Sequence, residues 1–361
     1  MGGFGRNWYE TKLAGSSDVQ IVAFVDPVTE ALEATRALVA SAGTPGAPAD
    51  GPRADEVPAA SPRYHHKLEE ALASVEADAV LVTASLPGHA PAAGAALAAG
   101  KHVLMEKPFA PSVAEARALV EQAEQAKRVL MISQNYRYFP AVRRAQEIVS
   151  TGVLGRLGVV HIDFRRNHIE RKAFLAKHYA LENPLLADMA IHHFDLMRMI
   201  TGENARRIRC YAYNPPWSLY TDYPAAEATV EMESGLLVTY RGSWVSPGAI
   251  TPWTGDWHLE FEKGELFFHG RWDDSARGDA VSIRYGTKGP DSAGSGSAGY
   301  VEERLEETKN TDRLGSLAEF VSCIRNGRTP QTSGAANIGS IALTYAAIKA
   351  SKEGGWVEVE S

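Results

Sequence analysis

The stretch DAVLVTASLPGHAPAAGAALAAGKHVLMEKP, residues 78–108, decides the fold class. It begins with an apolar, β-branched run typical of a buried strand, continues with helical apolar spacing, and ends in a second strand closed by proline. The same alternation precedes it in VQIVAFVDP and TEALEATRALVASAG (residues 19–43) and follows it in SVAEARALVEQAEQAKR and VLMISQNY (residues 112–136). This β/α repeat predicts a doubly wound parallel sheet of the Rossmann type, with ligands at the carboxyl ends of its strands.

The pattern changes after about Tyr136. A helical segment leads into longer β-like stretches with hairpin signals, ATVEMESGLLVTYRGSW turning at Ser234-Gly235 and HLEFEKGELFFHG turning at Lys263-Gly264. We therefore predict two domains. Residues 1–136 form a cofactor-binding α/β domain, and residues 137–361 form an α+β domain with an antiparallel sheet.

Composition narrows the class of protein. The chain has 361 residues with 45% hydrophobic and 22% charged content, and its 37 basic and 44 acidic residues give a net charge of -7. No Lys/Arg block could follow a phosphate backbone, so we expect no nucleic-acid partner. Two cysteines and the absence of a recognisable export signal or long apolar run favour a cytoplasmic protein that does not span a membrane.

The chain begins MGGFGRNWYE, residues 1–10, and its glycines resemble the turn of a dinucleotide-binding G-x-G-x-x-G loop. We predict that Gly2, Gly3, Phe4 and Gly5 contact the cofactor. Asp26 ends the next strand, where an acidic side chain would accept hydrogen bonds from an adenosine ribose. Because no Arg or Lys lies within several residues after Asp26, NAD is favoured over NADP.

No strand precedes this glycine turn, although the first strand is central in the usual 3-2-1-4-5-6 order. Five or six buried residues in such a strand would contribute on the order of 10 kcal/mol, comparable to the stability of a whole domain. We therefore expect the natural start to lie upstream of Met1.

Two further segments could carry chemistry. Lys107 lies at the carboxyl end of a predicted strand, where it is either a solvated surface lysine or a donor to a substrate oxygen. In LLADMAIHHFDLMRMI, helical spacing places Asp188, His192 and Asp195 on one face, so that Asp188 could orient His192 as a general base. An Asp and a His four residues apart could also share a metal ion, but a third ligand is not evident and we predict no metal site. His193 points away and is expected to pack.

Together these segments resemble the Gfo/Idh/MocA family, the group of glucose-fructose oxidoreductase and inositol dehydrogenase. GGFGRNW, AGKHVLMEKPFA, NYRYFPAVRRAQEIVSTGVLGRL and DMAIHHFDLMR occur in family order over nearly the whole chain. The resemblance implies that Lys107, Asp188 and His192 line a sugar or polyol site. It also implies that residues 137–361 carry an open antiparallel sheet used for substrate binding and oligomer contacts. Where the family often has T-P-x-x-x-H this chain has TASLPGH, so the nicotinamide-side contacts are altered; His89 is retained and, with Glu106, completes the predicted cofactor contacts.

We thus predict an NAD-dependent dehydrogenase that oxidises a secondary hydroxyl of a sugar, inositol or related polyol, or reduces the keto form. Two alternatives stay open: an NAD-retaining glycosidase or epimerase-like enzyme with transient oxidation, and a non-catalytic sugar or nucleotide sensor. A homodimer or homotetramer is expected, because long strands with several aromatic residues leave one sheet face to be covered. The predicted substrate contacts are Tyr136, Arg165, Arg166, His168 and Trp253.

Overall fold

The structure, a computed structural model, describes residues 3–41, 61–170, 176–273, 277–286 and 299–360. The chain divides into two compact units, the first comprising Met1–Ser133 with Arg313–Ala336 and the second Gln134–Asp312 with Asn337–Ser361. The first unit thus includes Arg313–Ala336, a segment from near the end of the chain.

The first unit alternates short parallel strands with helices. Its helices are α1 (Gly3–Trp8), which continues as a π-helical turn (Tyr9–Leu13), α2 (Thr29–Ser41), α3 (Leu68–Ser74), α4 (Leu86–Ala98) and α5 (Val113–Ala126). Its strands are β1 (Ala23–Val25), β2 (Arg63–His65), β3 (Ala79–Val82), β4 (His102–Met105) and β5 (Leu130–Ile132). Sequence patterns did not predict β2, which has only three residues and a largely polar sequence.

The parallel strands form two groups, β2 with β1 and β3 with β4 and β5. In the described residues no strand precedes β1, and β1 and β3 pair with no strand other than β2 and β4, respectively. In the predicted strand order, the central first strand would lie between β1 and β3. The sheet is divided at the position that the sequence left without a strand.

Helix α5 shows why these segments are helical. Ser112 precedes it in an extended conformation; its Oγ accepts a hydrogen bond from the Glu115 backbone N–H at 3.2 Å and donates to Glu115 Oε1 at 3.0 Å. The helix ends at Lys127, which has a left-handed conformation with φ 53°. Its apolar face, including Ala116 and Leu119, is buried. Capping at the start and burial of one face stabilise the helix together.

Two contacts hold the segment Arg313–Ala336 in the first unit. The Ile132 N–H donates to the Thr332 carbonyl at 2.9 Å, which extends the hydrogen bonding of β5. A Cβ at Gly334 would lie 2.7 Å from Leu130 Cδ2, so a larger residue there would displace the Leu130 side chain of β5. Most of helix α8 (Asp312–Asn326) lies in this segment.

The second unit is built on a nine-stranded sheet in the order β13-β12-β11-β10-β6-β9-β8-β7-β14. All neighbours are antiparallel except β6 and β9. The strands are β6 (Leu157–Arg165), β7 (Ala205–Tyr213), β8 (Ala225–Met232), β9 (Leu237–Ser243), β10 (Asp256–Phe261), β11 (Gly264–His269), β12 (Ala280–Tyr285), β13 (Val301–Glu302) and β14 (Trp356–Glu358). Both predicted hairpins are present, as β8–β9 and β10–β11.

One face of this sheet forms the core of the second unit. Alternate residues of β6, namely Val160, Ile162 and Phe164, are buried in one apolar cluster with residues of α6 (Pro140–Thr151) and α7 (Ile191–Thr201). Helix α9 (Gly334–Glu353) contributes further residues to this cluster. The period-2 alternation of the strands thus places one set of side chains in the core and the other on the opposite face.

Candidate functional site

Asp26 directly follows β1, at the carboxyl end of this strand. Its backbone N–H donates to the His65 carbonyl at 3.1 Å, and its Oδ1 accepts a hydrogen bond from the Val28 N–H at 2.9 Å. These contacts hold the half-buried carboxylate in place at the edge where a parallel sheet binds its ligands. A carboxylate there can accept hydrogen bonds from ribose hydroxyls.

The predicted glycine turn is helical where the structure describes it, because α1 begins at Gly3 and includes Phe4 and Gly5. Gly2 lies outside the described residues, while a Cβ at Gly3 would meet no atom within 4 Å, so the space above the Gly3 backbone is open. Phe4 is exposed and Gly5 is buried. The open backbone at Gly3 and the Asp26 carboxylate are the two features that a dinucleotide requires at its pyrophosphate and its ribose, and the residues present fit that ligand.

Glu106 is buried at the end of β4. The indole Nε1 of Trp8 donates to Glu106 Oε1 at 2.7 Å, which ties helix α1 to the strand. Burial raises the pKa of the Glu106 carboxyl, although the Trp8 hydrogen bond and the charges of Lys107 and Arg313 act in the opposite direction. Sequence reasoning expected Glu106 to contact the cofactor, and the contact found in the structure is with Trp8.

Lys107 is the next residue, half-buried at the carboxyl end of β4 as predicted, and a cis peptide joins it to Pro108. His89 lies beside this segment: its Nδ1 is 2.7 Å from the Pro108 carbonyl oxygen and its Nε2 is 2.9 Å from the Ala84 carbonyl oxygen. Burial lowers the pKa of His89, and a neutral imidazole donates to only one of two carbonyls. His89 therefore contacts the backbone that follows Lys107.

In the second unit, the Asp188 segment departs from the predicted helix. Pro184–Ala190 is a π-helical segment, and the α-helical hydrogen bonding of α7 begins only at Ile191. Because a π-helix has more residues per turn than an α-helix, the spacing of four between Asp188 and His192 does not define their relative direction.

Asp188 is held by a histidine that sequence reasoning missed. His178 Nε2 is 3.0 Å from Asp188 Oδ2, and its Nδ1 is 2.8 Å from the Tyr220 hydroxyl, which is also 3.1 Å from His168 Nδ1. A carboxylate only accepts, so a neutral His178 donates through Nε2 and accepts from Tyr220, whose oxygen in turn accepts from His168. We call Asp188, His178, Tyr220 and His168 the polar relay; only Asp188 and His168 were predicted.

His192 lies against Tyr136. The two rings stack with centroids 4.1 Å apart and planes 6° apart, and both residues are almost fully buried. Burial raises the pKa of the Tyr136 phenol to about 12, and the Tyr136 hydroxyl accepts a hydrogen bond from Nη1 of Arg271. The structure therefore brings together two of the predicted site residues and adds Arg271, which no sequence pattern indicated.

The neighbouring histidine, His193, packs as expected. It is completely buried, and its ring nitrogens lie 3.2 Å from the Tyr240 hydroxyl and 3.0 Å from the Trp253 carbonyl oxygen. Burial lowers the pKa of His193 to about 4, so this side chain is neutral at physiological pH.

Arg165 and Arg166, both predicted to contact the substrate, have different surroundings. Arg165 Nε lies 3.0 Å from Asp163 Oδ2, on the face of β6 opposite the buried residues. Arg166, the next residue, is buried, with its Cζ 3.8 Å from the centre of the Trp253 ring and its Nη1 donating to Asp273 Oδ2 at 2.9 Å. Strand alternation sends consecutive side chains to opposite faces, so only Arg166 joins the aromatic cluster, and Arg165 as a substrate contact stays a prediction.

Among the described residues, no three His, Cys, Asp or Glu side chains are arranged to hold a metal ion. In the same part of the chain, no helix has the length and apolarity needed to cross a bilayer.

Comparison with known proteins identifies both units. Residues 1–134 match the family described as "Oxidoreductase family, NAD-binding Rossmann fold", and residues 142–266 match the "GFO/IDH/MocA C-terminal domain". The chain is 26% identical to a D-apiose dehydrogenase of Paraburkholderia graminis over 83% of this chain and 77% of that protein. It is 25% identical to a myo-inositol 2-dehydrogenase of Thermotoga maritima over 78% of this chain and 80% of that protein.

The fold agrees with these matches. A crystal structure of aldose-aldose oxidoreductase from Caulobacter crescentus, complexed with glycerol, aligns with a TM-score of 0.75 at 19% identity, covering 97% of this chain and 96% of that one. The chain belongs to the Gfo/Idh/MocA family of oxidoreductases, which act on sugars and polyols, and its first domain is an NAD-binding Rossmann domain.

Proposed function

We propose that the protein is an NAD-dependent dehydrogenase that oxidises a secondary hydroxyl of a sugar, inositol or related polyol, or reduces the keto form. The observation that carries this proposal is the stacked pair of Tyr136 and His192. It provides a buried imidazole, the side chain best suited to exchange a proton near neutral pH. The cofactor, when bound, supplies the hydride acceptor.

On the cofactor side, we assign the pyrophosphate to the open backbone at Gly3 and the adenosine ribose to the Asp26 carboxylate. Support for NAD over NADP comes from the acidic Asp26 and from the residues after it, which include no Lys or Arg up to Arg36. Trp8 and Glu106 act indirectly in this proposal, because their hydrogen bond fixes helix α1 against β4. His89 acts in the same indirect way on the backbone after Lys107.

On the substrate side, His192 accepts the hydroxyl proton in its neutral form. Lys107 donates a hydrogen bond to a substrate oxygen and stabilises the negative charge that develops there. Asp188 is held by His178, so its carboxylate keeps one position from which it can orient the substrate or the base. Tyr136, Arg166, His168 and Trp253 remain the proposed substrate contacts.

The test is the appearance of NADH absorbance when the purified protein meets NAD and a panel of sugars, inositols and polyols, with the keto forms and NADH tested in reverse. His192→Ala should lower turnover by about a hundredfold or more and remove the rise of oxidation rate with pH between roughly 6 and 8. Lys107→Met should lower turnover through a loss of about 3 kcal/mol. His161→Ala, a half-exposed histidine bonded to Thr239, is the matched control and should keep wild-type activity.

No change in NADH with any compound of the panel would refute the proposal. An intact rate and pH profile in His192→Ala, together with inactivity of Lys107→Met, would transfer the role of base to the lysine. Neither alternative is favoured, the NAD-retaining glycosidase or epimerase-like enzyme or the non-catalytic sensor, because the relatives are named dehydrogenases and reductases.

We further propose, as the sequence predicted, a cytoplasmic homodimer or homotetramer formed through the open sheet face. Support comes from aromatic side chains exposed on this face, Tyr211 and Trp356, since apolar patches of this kind mark interaction surfaces. Light scattering should give a multiple of 39.0 kDa, and a monomer at micromolar concentration would contradict the proposal.

A further inference from the structure

The guanidinium of Arg166 has an unusual environment. Arg166 directly follows β6 and is only 3% exposed. Its Nη1 donates to Asp273, and its plane lies near the Trp253 ring. Among the described residues, Nε and Nη2 have no hydrogen-bond partner, although both atoms are buried. Buried charged donors without an acceptor are costly, which indicates that an acceptor is supplied from outside the described chain.

The two atoms without a partner lie on the same edge of the guanidinium plane, the edge that binds both oxygens of one carboxylate. This chain uses that edge elsewhere. Arg137 donates through Nε and Nη2 to the two oxygens of Asp195 at 2.6 and 2.8 Å, and Arg241 does the same with Asp163 at 3.0 and 2.6 Å. The same edge of Arg166 therefore has the geometry of a carboxylate site whose carboxylate is not in the described protein.

The charge around this edge favours an anion. Arg271 lies on the same tryptophan, with its Cζ 5.5 Å from the centre of the Trp253 ring. Against these two guanidinium groups stands the carboxylate of Asp273, which is bonded to Nη1 of Arg166 and to the Trp253 indole. Asp279 also lies nearby and accepts from the Arg271 backbone N–H. The donors on the Nε and Nη2 edge of Arg166 have no acceptor among the described residues, which suits a monoanion.

The Nε and Nη2 edge of Arg166 lies in the same cluster as His192, the proposed base. Arg271 lies 4.7 Å from the centre of the Tyr136 ring and donates to its hydroxyl, and the Tyr136 ring stacks on His192. Aromatic rings and guanidinium groups therefore form one continuous cluster from His192 to Arg166. A molecule held at Arg166 by one end can present another part to this cluster.

We propose that the substrate is a sugar acid or polyhydroxy acid, whose carboxylate binds the Nε and Nη2 edge of Arg166. This inference rests on the proposed function and adds the class of substrate to it. A carboxylate is preferred to a phosphate because it is planar and matches the edge with two oxygens, as the carboxylates do that pair with the same edge of Arg137 and Arg241.

The test compares kcat/KM for matched pairs: an aldonate with its alditol, and a uronate with its neutral sugar, with a sugar phosphate as a third arm. Wild type should prefer the acid of each pair by about a hundredfold or more, as expected for two hydrogen bonds to a charged group. Arg166→Gln should abolish this preference mainly through KM, and Arg166→Lys, which keeps the charge but not the edge, should retain part of it. Arg156→Gln is the matched control, because Arg156 is exposed and paired with Glu262, and it should keep the preference.

Calorimetric binding of the same acids without cofactor gives a second readout, and circular dichroism checks that each variant is folded. Equal rates for acids and neutral compounds in wild type, an unchanged acid preference in folded Arg166→Gln and Arg166→Lys, or a preference for the sugar phosphate would each overturn the inference. If no compound is oxidised but acids bind to wild type and not to Arg166→Gln, the carboxylate site is supported and the dehydrogenase proposal fails. If neutral polyols are oxidised but acids do not bind, the dehydrogenase proposal is supported and the carboxylate site is refuted.

Discussion

The ion pair of Arg137 and Asp195 should stabilise the second unit rather than take part in the reaction. Sequence spacing placed Asp195 on one helix face with His192, whereas in the structure its carboxylate is only 1% exposed and accepts four hydrogen bonds. Two come from Arg137, one from Ser340 Oγ at 2.7 Å and one from Asn337 Nδ2 at 3.3 Å. Asp195→Ala removes the acceptor for all of them and leaves the Arg137 charge buried.

Breaking one side of a buried ion pair costs about 3–5 kcal/mol. For a unit of this size, each kcal/mol lowers the midpoint of thermal unfolding by about 2–4 °C, so Asp195→Ala should lower it by roughly 10 °C. The double variant Arg137→Met/Asp195→Leu should lose less than Asp195→Ala, because no charge is then left without its partner.

The assay is thermal unfolding followed by circular dichroism, with the pH profile of kcat measured well below the midpoint. The matched control is Arg156→Gln, which breaks an ion pair with Glu262 on the surface, where the Arg156 side chain is 89% exposed. It should hardly change the midpoint of thermal unfolding, because exposed ion pairs contribute little to stability. A midpoint for Asp195→Ala within about 2 °C of wild type, or a shifted pH profile of kcat without loss of stability, would refute the structural role of Asp195.

Three further outcomes follow from buried polar groups. Burial raises the pKa of Glu106 in the folded protein, so the folded protein loses stability as the pH rises from about 4.3 through the folded-state pKa. Glu106→Gln should therefore raise the midpoint of thermal unfolding at pH 8 but not at pH 4. Equal midpoints for wild type and Glu106→Gln at pH 8 would contradict this. Burial lowers the pKa of His193 from 6.5 to about 4 in the folded protein, so the free energy of unfolding falls by about 3 kcal/mol as the pH drops from 6.5 towards 4. In His193→Gln, the free energy of unfolding measured with denaturant should not show this fall. Tyr220→Phe removes the hydroxyl between the relay histidines and should lower kcat about tenfold, the equivalent of one hydrogen bond that positions Asp188 through His178; unchanged kcat would exclude a positioning role for the relay.

Local patterns were sufficient wherever an element is made by neighbours in the sequence. The β/α alternation of residues 78–108 predicted β3, α4 and β4, because helical spacing and apolar strand runs are local signals. The hairpins at Ser234-Gly235 and Lys263-Gly264 were predicted for the same reason. At Gly264 a Cβ would lie 2.3 Å from the Arg284 carbonyl oxygen, so the glycine that marks the turn is also required by the strand beside it.

The site shows where such reasoning stops. Lys107 and His192 were predicted as site residues from motifs, since each lies at a recognisable place on a strand or helix, and their roles stay predictions. His178 was not found, because it lies on a short 3-10 turn without periodicity, and only the folded chain brings it to Asp188. Arg271 was missed because the contact to Tyr136 joins residues far apart in the sequence.

The sequence by itself determined the β/α alternation apart from β2, the two hairpins, the family and the residues of its motifs, because all of these depend on spacing along the chain. Only the tertiary structure decided that Arg313–Ala336 returns to the first unit, that Asp195 is an ion-pair partner of Arg137, and that Arg166 rather than Arg165 enters the aromatic cluster. The physical reason is that burial and pairing depend on which segments meet after the chain has closed long loops, and no local period encodes those meetings.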